Sequence, residues 1–488
     1  MMRKSIAAFA LFSAAVAVAS CARYPLPPIE RPPDLSRFAT KLDWDKLGDE
    51  AVDVLRGYLR VDTQNPPGNE IEGAKYFGAI LDREGIPWKT VEFAPGRASL
   101  IARLSGSGAE KPLCLLSHID VATAVAADWP ADKGPLSGVL DDKGDIWGRG
   151  TLDMKGMGVL ELMTVVALKR QGVPLRRDVI LLAVADEEVG NRGMRQIVEQ
   201  SWGEIGCSHL VNEGGLGIRD LLLPNQTVFA ISVAEKGLLW LRMNVRGQDG
   251  HGSTPRPEHT PRQLLRLLHL IETKRVTEPH IHPSLYELLA RVGRQAGGFS
   301  GFVLQRPSAV DMFVKSKLLA NPGTRAAITD TLSITGLDAG IHEPNVVPSR
   351  ASAVFDMRLL PDTKPDDVIA GLHKLLGDDK RVSFERIQES PSLTSPWQDD
   401  PFFHALAGQA VADRPEAVAG PVLSVGFTDS LFARMKGVHA YGLVPFAVSQ
   451  EEAATMHGAN ERVSAANVKR GLRVLYNAVV EVAATDAK

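Results

Sequence analysis

The sequence predicts an α/β protein with a mixed, largely parallel sheet, interrupted by an inserted α+β unit. Short apolar runs alternate with helical stretches over the first half of the chain, the signature of parallel strands joined by helices. Near Glu235 that pattern gives way to the residue-by-residue alternation of half-exposed strands. The 488 residues, 44% hydrophobic and 23% charged, carry enough apolar material for more than one core. With 55 Lys+Arg against 58 Asp+Glu there is no electrostatic footprint for a phosphate backbone, which argues against nucleic acid as a partner. The cysteines Cys21, Cys114 and Cys207 are too few for a disulfide scaffold and match no thiolate metal motif, so a bound metal must be held by His and carboxylates.

Residues 1–20 read as an address segment. Arg3 and Lys4 precede a small, apolar run too short for a confident membrane span, as in a secretory signal. The run ends Val18-Ala-Ser-Cys21, which resembles a bacterial lipobox, where the cysteine becomes the lipidated first residue. A plain cleaved signal with Cys21 incidental is the alternative. Cleavage removes Arg3 and Lys4 and takes the net charge from −3 to −5. The expectation is a bacterial envelope protein on the periplasmic side, membrane-bound only through Cys21. Residues 21–40 form a Pro-rich linker, with five prolines in 25–33 favouring a semi-rigid extended spacer.

Beyond the linker, Val52, Leu55, Tyr58 and Leu59 lie at helical spacing. Pro112–Leu116, Val179–Ala185 and His209–Val211 read as buried strands, and Met154–Gln171 as a helix between the first two. The part from 41 to 234 is the first half of the main domain. From 235 to 390 comes the insert, with strands expected over Leu238–Arg246 and Ala351–Leu359 and a helix over Pro261–Ile271. Thr273–Ser316 looks like extra helical and loop material. A polar Pro-containing stretch, Ser390–Pro396, leads into the second half, 391–488.

Ligands of open α/β sheets bind beyond the carboxyl ends of strands, and polar residues cluster there. The first strand runs into His118-Ile-Asp120; i and i+2 share a face, so the Asp120 carboxylate is expected to take a proton from the His118 ring and orient it. The second runs into Asp186-Glu187-Glu188, the third into Asn212-Glu213-Gly-Gly. Between the first two, Gly150-Thr-Leu-Asp153-Met-Lys-Gly156 sets an acid at a helix start. Singly these read as a strand-end hydrogen bond, a helix cap or a solvated turn. Together, converging carboxylates repel one another and lose hydration, for which a cation is the usual remedy. Imidazole and oxygen donors suit zinc, cobalt or manganese. Two ions about 3.5–4 Å apart sharing one carboxylate would activate a water for attack on a carbonyl.

The order His-x-Asp, Gly-x-x-Asp-x-Lys-Gly, Asp-Glu-Glu-x-Gly, Asn-Glu-Gly-Gly resembles the M20 family of dizinc metallopeptidases, which includes aminoacylases and carboxypeptidases, over about residues 45–485. The resemblance implies a zinc-peptidase-like α/β catalytic domain and makes the insert a lid, or dimerisation, domain. It implies two Zn2+, with Co2+ or Mn2+ as substitutes, held by His118, bridging Asp153, Glu188, Glu213 and a late histidine. Thr455-Met-His457-Gly-Ala-Asn-Glu461 resembles the family's C-terminal motif, so His457 is preferred over His439. Glu187 matches the general base that takes the attacking water's proton and delivers it to the leaving amine.

In the insert, Asp249-Gly-His251 resembles the lid histidine that stabilises the oxyanion, from a neighbouring subunit in dimeric relatives. Glu343-Pro-Asn345 resembles a substrate-contacting segment, and Arg358 a clasp for the substrate carboxylate. Ser424-Val-Gly426-Phe-Thr428-Asp-Ser resembles the loop that cradles the substrate backbone, most like carboxypeptidase S and the secreted N-acyl-amino-acid hydrolases. Val189-Gly-Asn-Arg192-Gly departs from the family's usual Gly-Ser-x-Gly, and the insert is longer than a minimal lid. The implied activity is hydrolysis of a peptide or N-acyl amide bond next to a free carboxylate, in a small peptide or N-acyl amino acid. An inactive binding lipoprotein of the same fold is the rival, and an intact base and ligand set speak against it. Cys114 reads as a small buried hydrophobe.

Overall fold

The computed structural model describes residues 22–27, 32–339 and 343–485. The signal run and Cys21 lie outside these residues. No helix among the described residues is long and apolar enough to cross a membrane.

The strands are β1 (Trp88–Ala94), β2 (Arg97–Leu104), β3 (Leu113–His118), β4 (Val179–Val184), β5 (His209–Arg219), β6 (Thr227–Glu235), β7 (Gly237–Arg246), β8 (Thr331–Asp338), β9 (Arg350–Leu359), β10 (Val382–Ser390), β11 (Ala417–Ser424) and β12 (His439–Val448). The principal helices are α1 (Trp44–Leu59), α2 (Glu70–Arg83), α3 (Lys155–Gln171), α4 (Thr260–Thr273), α5 (Pro283–Ala296), α6 (Pro365–Leu375), α7 (Pro401–Val411), α8 (Ser430–Met435) and α9 (Ala465–Ala483).

Eight strands form the large sheet in the order β11-β6-β12-β5-β3-β4-β2-β1. Its centre, β12-β5-β3-β4, is parallel, while β2 and β1 add an antiparallel edge. The mixed, largely parallel sheet expected from the sequence is therefore present. Along β3, Leu113 and Leu115 face one apolar layer, with α1, α2, α3 and α9, while Cys114 and Leu116 face the opposite one. Both faces are thus covered, which is why these strands are continuous apolar runs. Helix α3 is mostly apolar and buried along almost its whole length, with Glu161 and Thr164 as buried polar residues in its middle. It stops at Gly172, whose left-handed backbone (φ 69°) closes the C-terminus.

Strand β5 departs from expectation. It does not end at Val211 but continues through Glu213 to Arg219, between β12 and β6. Glycines permit this: a Cβ on Gly442 of β12 would collide with the Glu213 carbonyl, and one on Gly215 with those of Ala230 and Gly442. The neighbouring register is irregular at that point, so Glu213 sits at a break within a strand rather than beyond its end.

Cys114 and Cys207 form a disulfide, Cα atoms 6.0 Å apart, which corrects the reading of Cys114 as merely a small buried hydrophobe. It joins β3 to the entry of β5. The insert builds a four-stranded antiparallel sheet, β8-β9-β7-β10, with α4 and α6 sharing its core. Helix α5 leaves that sheet and packs on the large one, Leu288 and Val292 against Val228 and Val418. Nor is the Pro-rich linker a free spacer throughout. Tyr24 N donates to Gln305 O (2.8 Å) and Arg294 Nη1 to Pro27 O (2.7 Å).

Candidate metal centre and catalytic site

His118, the last residue of β3, and Asp153, just before α3, meet with Nε2 3.1 Å from Oδ1. The other oxygen of Asp153 lies 2.8 Å from His457 Nε2. Glu188 Oε2 stands 3.3 Å from the same His457 nitrogen, and Glu213 Oε1 3.7 Å from His118 Nε2. One carboxylate thus links two half-sites. His118, Glu187 and Glu213 form a group with donor atoms within 4.8 Å of one another, as do His118, Asp153 and Glu188. His439, the alternative late histidine, is elsewhere, bonded to Asp400.

Asp120 departs from its expected role. His118 Nδ1 lies 2.8 Å from the Asp120 backbone carbonyl oxygen, while the nearest carboxylate oxygen is at 3.9 Å. The carboxylate instead accepts from the N–H groups of Glu187 and Glu188 (both 3.1 Å) and from Asn65 Nδ2 (2.9 Å). Its main chain orients the histidine and its side chain anchors the acid loop. Asp186 makes the turn into that loop with a left-handed backbone (φ 67°), which short acids tolerate. Asn65, Arg97 and Arg192 hold its carboxylate, and Glu70 accepts its N–H.

Glu461, the last residue of the Thr455–Glu461 motif, is fully buried. It accepts from Gly150 N (3.0 Å) and Leu152 N (2.8 Å) and pairs with Arg149 (2.5 Å). Arg149 in turn donates to the His457 carbonyl (2.9 Å). A carboxylate four residues after His457 therefore shapes the loop that presents Asp153. The motif spacing was the available signal for Glu461; for Asn65, in a Gln-Asn-Pro-Pro-Gly turn, there was none.

Electrostatics favour a cation. Burial would raise the Asp153 pKa, but hydrogen bonds from His118 and His457 hold it well below the usual carboxylate range. Burial pushes Glu187 well up, reinforced by Glu213, and pushes Glu213 well up, reinforced by Asp153. His457, bonded to Asp153 and Glu188, rises to about 10. Acids that resist ionisation without a nearby positive charge, facing imidazoles that bind a proton tightly, form a donor set made for divalent cations.

The expected substrate contacts are more dispersed. His251 and Asn345 are neighbours: Gly250-His251 pairs with Val346-Val347, and Gly252 N donates to Asn345 O (2.7 Å). The His251 ring is exposed and bonded to Ser253 Oγ (2.7 Å). Arg358 is in a two-point pair with Asp356, Nε to Oδ1 2.8 Å and Nη2 to Oδ2 3.1 Å. Gly426 is exposed. Thr428 is buried, and both its N–H and hydroxyl donate to Glu235 (2.8 Å each). Thr428 thus clamps its loop to the end of β6 rather than offering its hydroxyl to substrate. Asp429, next in sequence, is buried beside Asn191 (3.2 Å), and burial raises its pKa to about 7.

The model of peptidase family M20/M25/M40 matches residues 114–481. The chain belongs to that family. The human N-fatty-acyl-amino acid synthase/hydrolase PM20D1 is 28% identical over 422 residues, 84% of this chain and 81% of that protein. Aminoacylase-1A of Rattus norvegicus is 25% identical over 444 residues, 90% of this chain and 96% of its own. In fold, the M20 family metallo-carboxypeptidase Sso-CP2 from Sulfolobus solfataricus matches with a TM-score of 0.66 at 19% identity, covering 89% of this chain and 99% of that one. The M20 chain is accordingly a hydrolase of amide bonds acting on peptide or amino-acid substrates, in a family that uses divalent metals.

Proposed function

We propose that this M20 hydrolase cleaves a peptide or N-acyl amide bond adjacent to a free carboxylate, with two Zn2+ held by His118, Glu213 and Asp153 on one side and by Asp153, Glu188 and His457 on the other. The observation that carries this reading is Asp153, whose two oxygens face one histidine each. Bound zinc would supply Lewis acidity and lower the pKa of water. Glu187 takes the proton of the attacking water and returns it to the leaving amine. Arg358 anchors the substrate carboxylate, sharing its guanidinium with Asp356. His251, exposed on the lid ribbon, completes the oxyanion site from the partner chain of a homodimer.

We place the protein in the bacterial envelope, anchored through Cys21. The Cys114–Cys207 disulfide supports this, because such bonds persist in oxidising compartments.

The test is turnover of N-acyl amino acids and dipeptides by wild type and Glu187→Ala, with and without zinc. The variant is expected to keep its metal and lose about 10²–10⁴-fold in rate, the usual worth of a general base. Near-normal turnover would refute the assignment, and the substrate panel separates aminoacylase from dipeptidase activity.

A further inference from the structure

We propose a second metal-binding site, separate from the catalytic cluster, in which His209, Asp400 and His439 take one Zn2+ or a similar borderline divalent cation. His209 and His439 head the neighbouring parallel strands β5 and β12 and stand opposite each other in register. His118 closes the parallel neighbour β3 at its carboxyl end, so the two sites occupy opposite edges of the sheet.

Three elements converge here. Asp400 caps α7 with one oxygen, Oδ1, which accepts from Phe402 N (2.9 Å) and Phe403 N (3.1 Å). That fixes the carboxyl group and turns Oδ2 towards the strands. Oδ2 lies 3.1 Å from His209 Nε2 and 2.7 Å from His439 Nδ1. All three donor atoms fall within 4.8 Å of one another. On the far side of the ring, Ser208 Oγ lies 2.9 Å from His209 Nδ1 and can accept its proton when Nε2 binds the ion; Arg177 Nη1 stands 3.5 Å from the same nitrogen, and Phe402 meets the ring edge-on. Arg177 is itself paired with Glu110, which offsets its charge.

Two imidazole nitrogens and one carboxylate oxygen, without thiolate, suit zinc, copper or nickel. Ligand bonds of about 2.0–2.2 Å place tetrahedral donors roughly 3.3 Å apart, so the two separations from Asp400 Oδ2, 3.1 and 2.7 Å, need open by well under 1 Å. The His439 side chain is 40% exposed, giving the ion a way in and water a coordination position. A cation here would tie the start of α7 to the starts of two central strands, away from the catalytic edge.

Holoenzyme equilibrated with Zn2+ and analysed for metal by mass spectrometry tests the proposal. Wild type is expected to carry one more zinc per chain than His439→Gln, with turnover unchanged. Equal zinc content in the two proteins overturns it. A second measurement does not depend on how the variant folds: Cu2+ added to wild-type holoenzyme should show electron-resonance coupling to two additional imidazole nitrogens. A spectrum without that coupling overturns the site as well.

Discussion

Asp153 and Glu461 show how single carboxylates divide the labour of the site. Asp153 faces both histidines directly, whereas Glu461 lies behind the loop and gathers its N–H groups together with Arg149. His118→Ala and His457→Ala each remove one nitrogen donor, so metal analysis should find less bound metal in either variant. Unchanged metal content would take that residue out of the ligand set. Glu461→Ala strands a buried guanidinium and several loop N–H groups, a loss of about 3–5 kcal/mol in unfolding free energy. Denaturant titration should register it, and Glu461→Gln should cost less because the amide oxygen still accepts. Asp120→Ala tests the split role of that residue: the carbonyl bond to His118 survives, while the N–H groups of Glu187 and Glu188 lose their acceptor. Turnover should fall with little loss of stability beyond about 1–3 kcal/mol.

At the level of elements, apolar patterning makes β3, β4 and α3 legible to within about two residues, because burial on all sides leaves mostly apolar runs. Strand β5 outruns the apolar stretch His209–Val211 that marks it, because Asn-Glu-Gly-Gly breaks that stretch. Only the close approach of β12 and β6, invisible in a local window, keeps it extended. The disulfide was illegible for the same reason, since residues 93 apart become neighbours only through the parallel pairing of β3 and β5. Reduction of that bond should lower stability by about 2–4 kcal/mol, measurable as a drop in the unfolding midpoint with dithiothreitol. Thr428 shows a different limit: its motif resembles a substrate loop, but the pairing of its hydroxyl with Glu235 depends on where β6 ends.

Across the whole molecule, the five expected metal ligands converge although they span residues 118 to 457, and each is legible because it lies in a motif whose spacing is local. The lid residues His251 and Asn345 come together on one ribbon, where the His251 ring bonds Ser253. The proposed homodimer makes a sharp prediction. Mixing Glu187→Ala and His251→Ala chains should regenerate one intact site per mixed dimer, about a quarter of wild-type activity for random pairing. Activity no greater than the sum of the two variants would place His251 within its own chain.

The position of β12 bears on the order of synthesis. It lies between β5 and β6, two strands that are joined in sequence and already pair with each other at one end. A ribosome therefore makes both banks of this gap more than 200 residues before the strand that fills it. Until residue 448 emerges, the nascent sheet carries two open edges at its centre, a surface that invites strand pairing with other chains. His457 and Glu461 follow directly behind that strand, so the final insertion that closes the sheet also delivers the last parts of the catalytic centre.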